Sequence, residues 1–197
     1  PACTFNTTIA PIVQNGLVPV VVDVELETFQ IDPKELAKAV SSKTKALLVP
    51  HLIGNFVELK KLRAFAKKHR LFLIEDSCDT LGGVHRDKPS GSWSDITTTS
   101  FYASHIITAG GAGGMLMTDD LALYERARVF ANWGRGIKSY MDHINDRLNS
   151  YQVDGKPYDS AFAFVHLGYN FKPTEIQAAF GLKQLERLPD FIASRAW

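Results

Sequence analysis

Leu71-Phe72-Leu73-Ile74-Glu75-Asp76 is the stretch that decides the fold. Four apolar residues cut off by two carboxylates make the pattern of a fully buried parallel strand. A carboxylate at the carboxyl end of such a strand sits where open α/β sheets bind their ligands. Further on, Ile96-Thr97-Thr98-Thr99-Ser100-Phe101-Tyr102 is rich in β-branched and aromatic residues and predicts a second strand, which runs into Ala103-Ser104-His105. Gly110-Gly111-Ala112-Gly113-Gly114 leads to a third apolar run, Met115-Leu116-Met117. If all three strands share one parallel sheet, Asp76 and His105 lie on its carboxyl edge, an acid and a titratable base in one crevice. The expectation is an enzyme site.

Working outward, strand and helix alternate. Thr7 or Thr8 is the expected cap of a short helix ended by Asn15-Gly16, and Val18-Pro19-Val20-Val21-Val22-Asp23-Val24 reads as a strand. Asp32-Pro33 opens a helix with an N-cap acid and proline at its first position. Lys45-Ala46-Leu47-Leu48-Val49-Pro50 is a buried strand, and residues 57–69 carry Leu59, Leu62, Phe65 and Ala66 at helical spacing with a lysine-rich, solvated outer face. This alternation argues for βαβ units with right-handed crossovers. Asp119-Asp120 caps a further helix, and the pattern is then lost from Asn132 to His166, a long loop of the kind that is usually functional or disordered. Pro173-Thr174-Glu175 opens a last helix in which Ile176, Ala179, Phe180 and Leu182 are expected to pack inward, and Leu188-Pro189 ends or bends it. The expected organisation is a cofactor-binding α/β domain over 1–131, a loop insertion over 132–167 and a helical continuation over 168–197.

Composition narrows the class. The 197 residues can bury a sizeable core, and a net charge of +1 gives no reason to expect nucleic acid or an anionic membrane as partner. No apolar run approaches the roughly 20 residues of a membrane helix, and no signal-peptide pattern opens the chain. Two cysteines, Cys3 and Cys78, are too few for a disulfide framework or a four-thiolate metal site, so no metal is expected and a reducing, cytoplasmic setting is the default. The chain starts Pro1-Ala2-Cys3 without methionine and stops at Trp197 inside a helical pattern, which reads as the central piece of a longer protein.

On the residues alone, Asp76 is either a strand-end carboxylate capping a loop or an acid kept ionised by a cationic ring nitrogen. Pyridoxal phosphate enzymes need the second arrangement, because a protonated pyridine is their electron sink. His105 is either a satisfied structural histidine or a base, and the glycines after it let backbone N–H groups approach an anion.

Three segments carry a resemblance. Glu75-Asp76-Ser77-Cys78-Asp79-Thr80-Leu81-Gly82, Ser100-Phe101-Tyr102-Ala103-Ser104-His105 and Gly168-Tyr169-Asn170-Phe171-Lys172-Pro173-Thr174-Glu175-Ile176-Gln177-Ala178-Ala179 resemble the central motifs of the DegT/DnrJ/EryC1/StrS sugar aminotransferase family, in order. The opening Pro1-Ala2-Cys3-Thr4-Phe5 resembles the segment before that family's first large-domain helix. The resemblance implies a type I aminotransferase fold, a mainly parallel sheet flanked by helices, and a homodimer with shared active sites. It implies that Asp76 pairs with the pyridine nitrogen, Ser100 binds the phosphate, Phe5 stacks on the ring, and Asp79 is a further cofactor-binding residue. Asn170 would reach the phosphate of the partner subunit's cofactor.

One departure is informative. Most members carry the Schiff-base lysine where His105 stands, and this chain has no lysine between Lys88 and Lys138. Histidine there with a Glu-Asp-x-Cys-Asp signature is similar to the nucleotide-sugar 3-dehydrase subgroup, lyases of deoxysugar and lipopolysaccharide O-antigen biosynthesis. The resemblance then implies pyridoxamine or pyridoxal 5′-phosphate held without a covalent bond, a nucleotide-linked 4-keto-6-deoxy sugar as substrate, and His105 as the catalytic base. A sugar aminotransferase and a non-catalytic binder of nucleotide sugars are the alternatives. The CDP-type members of the subgroup hold a [2Fe–2S] cluster on four cysteines in the segment after Asn132-Trp133-Gly134-Arg135. This chain has no cysteine there, and no cluster is expected.

Overall fold

The computed structural model describes residues 1–136 and 151–195. The chain divides into two compact units, Pro1–Thr118 with Glu175–Trp197, and Asp119–Thr174. The first is built on a four-stranded sheet of β1 (Ala46–Pro50), β2 (Phe72–Asp76), β5 (Ile96–Ser100) and β6 (Gly114–Met117), in that spatial order. A small antiparallel pair, β3 (Val84–His85) with β4 (Lys88–Pro89), lies in the connection between β2 and β5.

β1, β2 and β5 are parallel, with Pro50 level with Asp76 and Asp76 level with Thr98. β6 departs from the all-parallel expectation: it runs antiparallel to β5, Ser100 opposite Gly114. Parallel neighbours need a crossover, usually a helix, and residues 101–113 form only turns, which suffice to fold a strand back on its neighbour. The fold is α/β with a mainly parallel sheet flanked by helices.

Helix α3 (Leu59–His69) makes the core. Its Leu59, Leu62 and Ala66, at the i, i+3, i+7 spacing read from the sequence, meet Leu47 and Val49 of β1 and Leu73 of β2. Arg70 closes it in the left-handed conformation, φ 57°. The strand β2 is sealed on this face only, because Phe72 is exposed on the other, so the expectation of a strand buried on both faces is corrected. α2 (Pro33–Ala39) starts as read, with Asp32 Oδ1 accepting the Lys34 amide at 2.8 Å.

Three further expectations are corrected. α1 (Asn6–Gln14) is entered from Phe5 with no side-chain cap, and Thr8 lies inside it, turned toward Asp76. Of the expected strand at 18–24 only Val24 pairs, in a lone bridge to Ile31, and Val18 and Val20 are exposed. Pro19 has no N–H to give a ladder, and no described strand lies beside it. α5 (Glu175–Glu186) does not bury Ile176, Phe180 or Leu182: Ile176 is 83% exposed. The half-buried face is Gln177, Gly181 and Gln184, continued by Leu188 and Phe191 of α6 (Leu188–Arg195). Small size explains it, since a Cβ on Gly181 would lie 3.5 Å from the Ala109 Cβ, so the helix approaches through its glycine. Pro189 sits in the first turn of α6, where its missing N–H costs nothing.

In the second unit, α4 (Leu121–Ala131) is capped by Asp120, whose Oδ1 accepts the amides of Ala122 and Leu123. Of the expected long loop, residues 137–150 lie outside the described residues. The part that follows forms a hairpin, β7 (Tyr151–Val153) with β8 (Lys156–Tyr158), and a 3₁₀ turn at Ser160–Phe162. No described helix is long and apolar enough to cross a membrane.

Candidate active site

Asp76 is the last residue of β2, and its half-buried carboxylate is lightly held. Oδ2 accepts the Thr8 hydroxyl at 3.2 Å and Oδ1 accepts the Cys78 amide at 3.2 Å. An ionised carboxylate has about four acceptor sites, so these two bonds and a contact from the Cys78 thiol leave room for a cation.

Cys78 packs between this carboxylate and the backbone of Ser100, and its thiol is pushed up to about 12, by burial first and then by Asp76. That shift favours the neutral thiol over the reactive thiolate.

Asp79, one turn beyond, links two loops. Its Oδ2 accepts the Ile53 amide at 3.1 Å, and its Oδ1 lies 3.5 Å from Nδ1 of His105, within ion-pair reach but longer than a hydrogen bond. His105 sits five residues beyond β5, where its amide closes a turn onto the Tyr102 carbonyl at 3.1 Å. With Nδ1 turned to Asp79, Nε2 is the nitrogen left to act, and the side chain keeps 24% of its surface in contact with solvent.

Ser100 ends β5, its hydroxyl accepting the Tyr102 amide at 3.1 Å. A side chain on Gly114 opposite would put a Cβ 2.9 Å from the Thr99 carbonyl, so glycine is required there.

The structure therefore gathers Asp76, Asp79, Ser100 and His105 at the carboxyl ends of two adjacent parallel strands. Phe5 is 71% exposed at the entry to α1, one turn before Thr8. Asn170 belongs to the second unit, where it bridges Asn132. Sequence reading missed Thr8 as a partner of Asp76, 68 residues away, and missed the buried pair of His51 with Glu75. Nothing local in the sequence signals either.

The donor set suits a phosphorylated pyridine cofactor. A carboxylate with free acceptor capacity matches a cationic ring nitrogen, and a strand-end hydroxyl beside a close glycine backbone matches a phosphate.

The profile of the DegT/DnrJ/EryC1/StrS aminotransferase family matches residues 1–197. The chain belongs to that family. It is 40% identical, over 98% of its length and 43% of the relative's, to dTDP-4-dehydro-2,6-dideoxy-D-glucose 3-dehydratase of Saccharopolyspora spinosa. It is 32% identical, over 99% of its length and 47% of the relative's, to GDP-perosamine synthase of Caulobacter vibrioides. Among solved structures, the Escherichia coli GDP-4-keto-6-deoxy-D-mannose 3-dehydratase with bound hydrated PLP superposes with a TM-score of 0.83 at 30% identity, over 98% of this chain and 48% of that one. The chain thus spans about half the length of the family members it matches. Their fold is the fold described above, and the family resemblance is established.

Proposed function

We propose that the protein removes the 3-hydroxyl from a nucleotide-linked 4-keto-6-deoxyhexose, using pyridoxamine 5′-phosphate, in the formation of a 3,6-dideoxyhexose. The observation that carries this reading is His105 with its Nδ1 3.5 Å from Asp79 Oδ1, at the position where the family resemblance implies a lysine.

Bound pyridoxamine phosphate would supply the amine that condenses with the keto group and the ring that takes up the electron pair. Asp76 would hold a proton on the ring nitrogen, Ser100 would bind the phosphate, and Phe5 would cover the ring. Asn170 would reach the phosphate held by a partner subunit in a homodimer. His105 would take a proton at Nε2 while the 3-hydroxyl departs, and Asp79 would steady the imidazolium. Because imidazole forms no stable imine with an aldehyde, the cofactor would be held by these contacts alone. That favours a cofactor arriving with its own amine, and disfavours repeated transamination.

Relatedness to a perosamine synthase keeps a second outcome in view, a 4-amino sugar retained as product. The test is incubation of the full-length protein with pyridoxamine phosphate and a 4-keto-6-deoxy sugar nucleotide, followed by NMR of the product. Loss of the 3-hydroxyl is expected. A stable 4-amino sugar would replace the dehydration with a transamination, and an unchanged substrate would leave a binding protein.

A further inference from the structure

Neighbouring residues of a strand point to opposite faces of the sheet. Asp76 lies on one face of β2, and Glu75 on the other, with no exposed side-chain surface. His51, just beyond the end of β1, is equally sealed, and its Nε2 lies 3.0 Å from Glu75 Oε2. The same oxygen accepts the Gly91 amide at 3.1 Å. The His51 backbone N–H donates to the Asp76 carbonyl at 3.1 Å, and its ring packs on Phe56, centroids 4.9 Å apart. His51 therefore grips both carboxylate residues, one by its ring and one by its backbone.

The pair is sealed with His51 Nδ1 and Glu75 Oε1 lacking hydrogen-bond partners among the described residues. Desolvation consumes much of the attraction between buried polar groups, so an apolar pair of the same size is often as stable. Core stability alone thus gives little reason for this chemistry here. What the pair supplies is direction. Hydrogen bonds fix angles as well as distances, and these tie the end of β1, the end of β2 and the loop at Gly91 into one piece. They do so from the face opposite Asp76, whose own side-chain bonds, at 3.2 Å to Thr8 and to Cys78, lie in partly open surroundings.

We infer that His51 and Glu75 are a positioning pair, fixing the strand end so that the Asp76 carboxylate meets a cationic ring nitrogen. The inference rests on the reading of Asp76 above and adds to it two residues that touch neither cofactor nor substrate.

The test titrates pyridoxamine 5′-phosphate, labelled with ¹⁵N in the ring, into the full-length protein. The ring nitrogen shift reports its protonation without turnover. In His51→Leu the affinity is expected to fall about tenfold, as for the loss of a partner that orients a ligating group, and the bound ring to lose its proton at a lower pH. His51→Gln, whose amide can still donate to Glu75, is expected to recover most of both. A folded His51→Leu with wild-type affinity and ring protonation overturns the proposal, as does a Gln variant no better than Leu. If His51→Leu does not fold, Glu75→Gln asks the same question with the shape kept. Failure of both to fold assigns the pair to folding alone and overturns the positioning role. Asp76→Asn separates the two levels. If it leaves the ring shift unchanged, the reading of Asp76 falls and takes this inference with it. If it moves the shift and His51→Leu does not, only the positioning role falls.

Discussion

Glu75 and Asp76 are adjacent in sequence and carry the same chemical group, yet the chain treats them oppositely. Glu75 is sealed on the α3 side of the sheet against His51, Gly91 and Ser94. Burial pushes its carboxyl up, but the His51 hydrogen bond, then the Gly91 amide and Ser94, outweigh burial and hold it below the usual carboxylate range. Asp76 is half open, with two bonds of 3.2 Å and spare acceptor capacity. A carboxylate sealed from solvent serves the fold, even with one oxygen, Glu75 Oε1, left without a hydrogen-bond partner among the described residues, and one open to solvent can serve a ligand. The comparison teaches that the side of the strand, set by a shift of one residue, decides which of two acids is free for chemistry.

Variants on the open side should act on the site with little cost in stability, and variants on the sealed side should cost stability and, through the strand end that carries Asp76, cofactor affinity as well. The largest effect is expected at His105. Replacing it with Asn should lower the dehydration rate by about 10²–10⁴-fold, the usual worth of a positioned general base, with the thermal midpoint unchanged. Product NMR and calorimetry on the same preparation measure both, and undiminished turnover would remove His105 from the mechanism.

On the sealed side, His51→Leu leaves Glu75 as a buried charge without its partner, which typically costs about 3–5 kcal/mol. Replacing both members with leucine should return much of that loss, because no unpaired charge remains. Urea denaturation of the single and double variants gives the comparison. A double variant as unstable as the single one would show that the pair contributes through packing and not charge.

The same pair predicts a pH dependence whose sign is fixed. A carboxyl held below its unfolded value binds fewer protons folded than unfolded. It therefore contributes stability that is present above the unfolded pKa of about 4.3 and is lost as pH falls through the lower folded value. Stability measured from pH 6 downward should fall below about pH 4, and Glu75→Gln should flatten part of that fall. An identical acid limb in the variant would assign the loss to other groups, such as Asp95, which Arg63 and the Leu73 amide hold low against burial.

The comparison also shows what could be read in advance. The cores of β1, β2, β5 and α3 were legible because their apolar spacing is local, and so was the placing of Asp76 and His105 on one sheet edge. The hairpin at Asp154-Gly155 had a legible signal, since both residues take positive φ, 51° and 74°, as a two-residue turn requires. The loss of apolar pattern around it hid the signal. The inward face of α5 was misread because apolar residues were counted, whereas Gly181 decides the approach by what it lacks. The His51–Glu75 pair was not legible, because a contact across 24 residues depends on the register of two strands, Pro50 level with Asp76.

The smallest expected effect lies back on the open side, at Thr8. Its hydroxyl donates to Asp76 and brings α1 to the site, although the two residues are 68 positions apart. Thr8→Val keeps the shape and the β-branch, so the helix loses little. The substitution removes one hydrogen bond, which is worth about 0.5–1.5 kcal/mol when its partner stays buried. Asp76 is only half buried, so water can replace the lost donor, and the cost should fall at the low end of that range. The change in Tm should accordingly be small, while the affinity for pyridoxamine phosphate should change little, because the charge on Asp76 is untouched. A large loss of affinity with stability preserved would mean that Thr8 orients the carboxylate as firmly as His51 does, and that the open face is held more tightly than its two long bonds suggest.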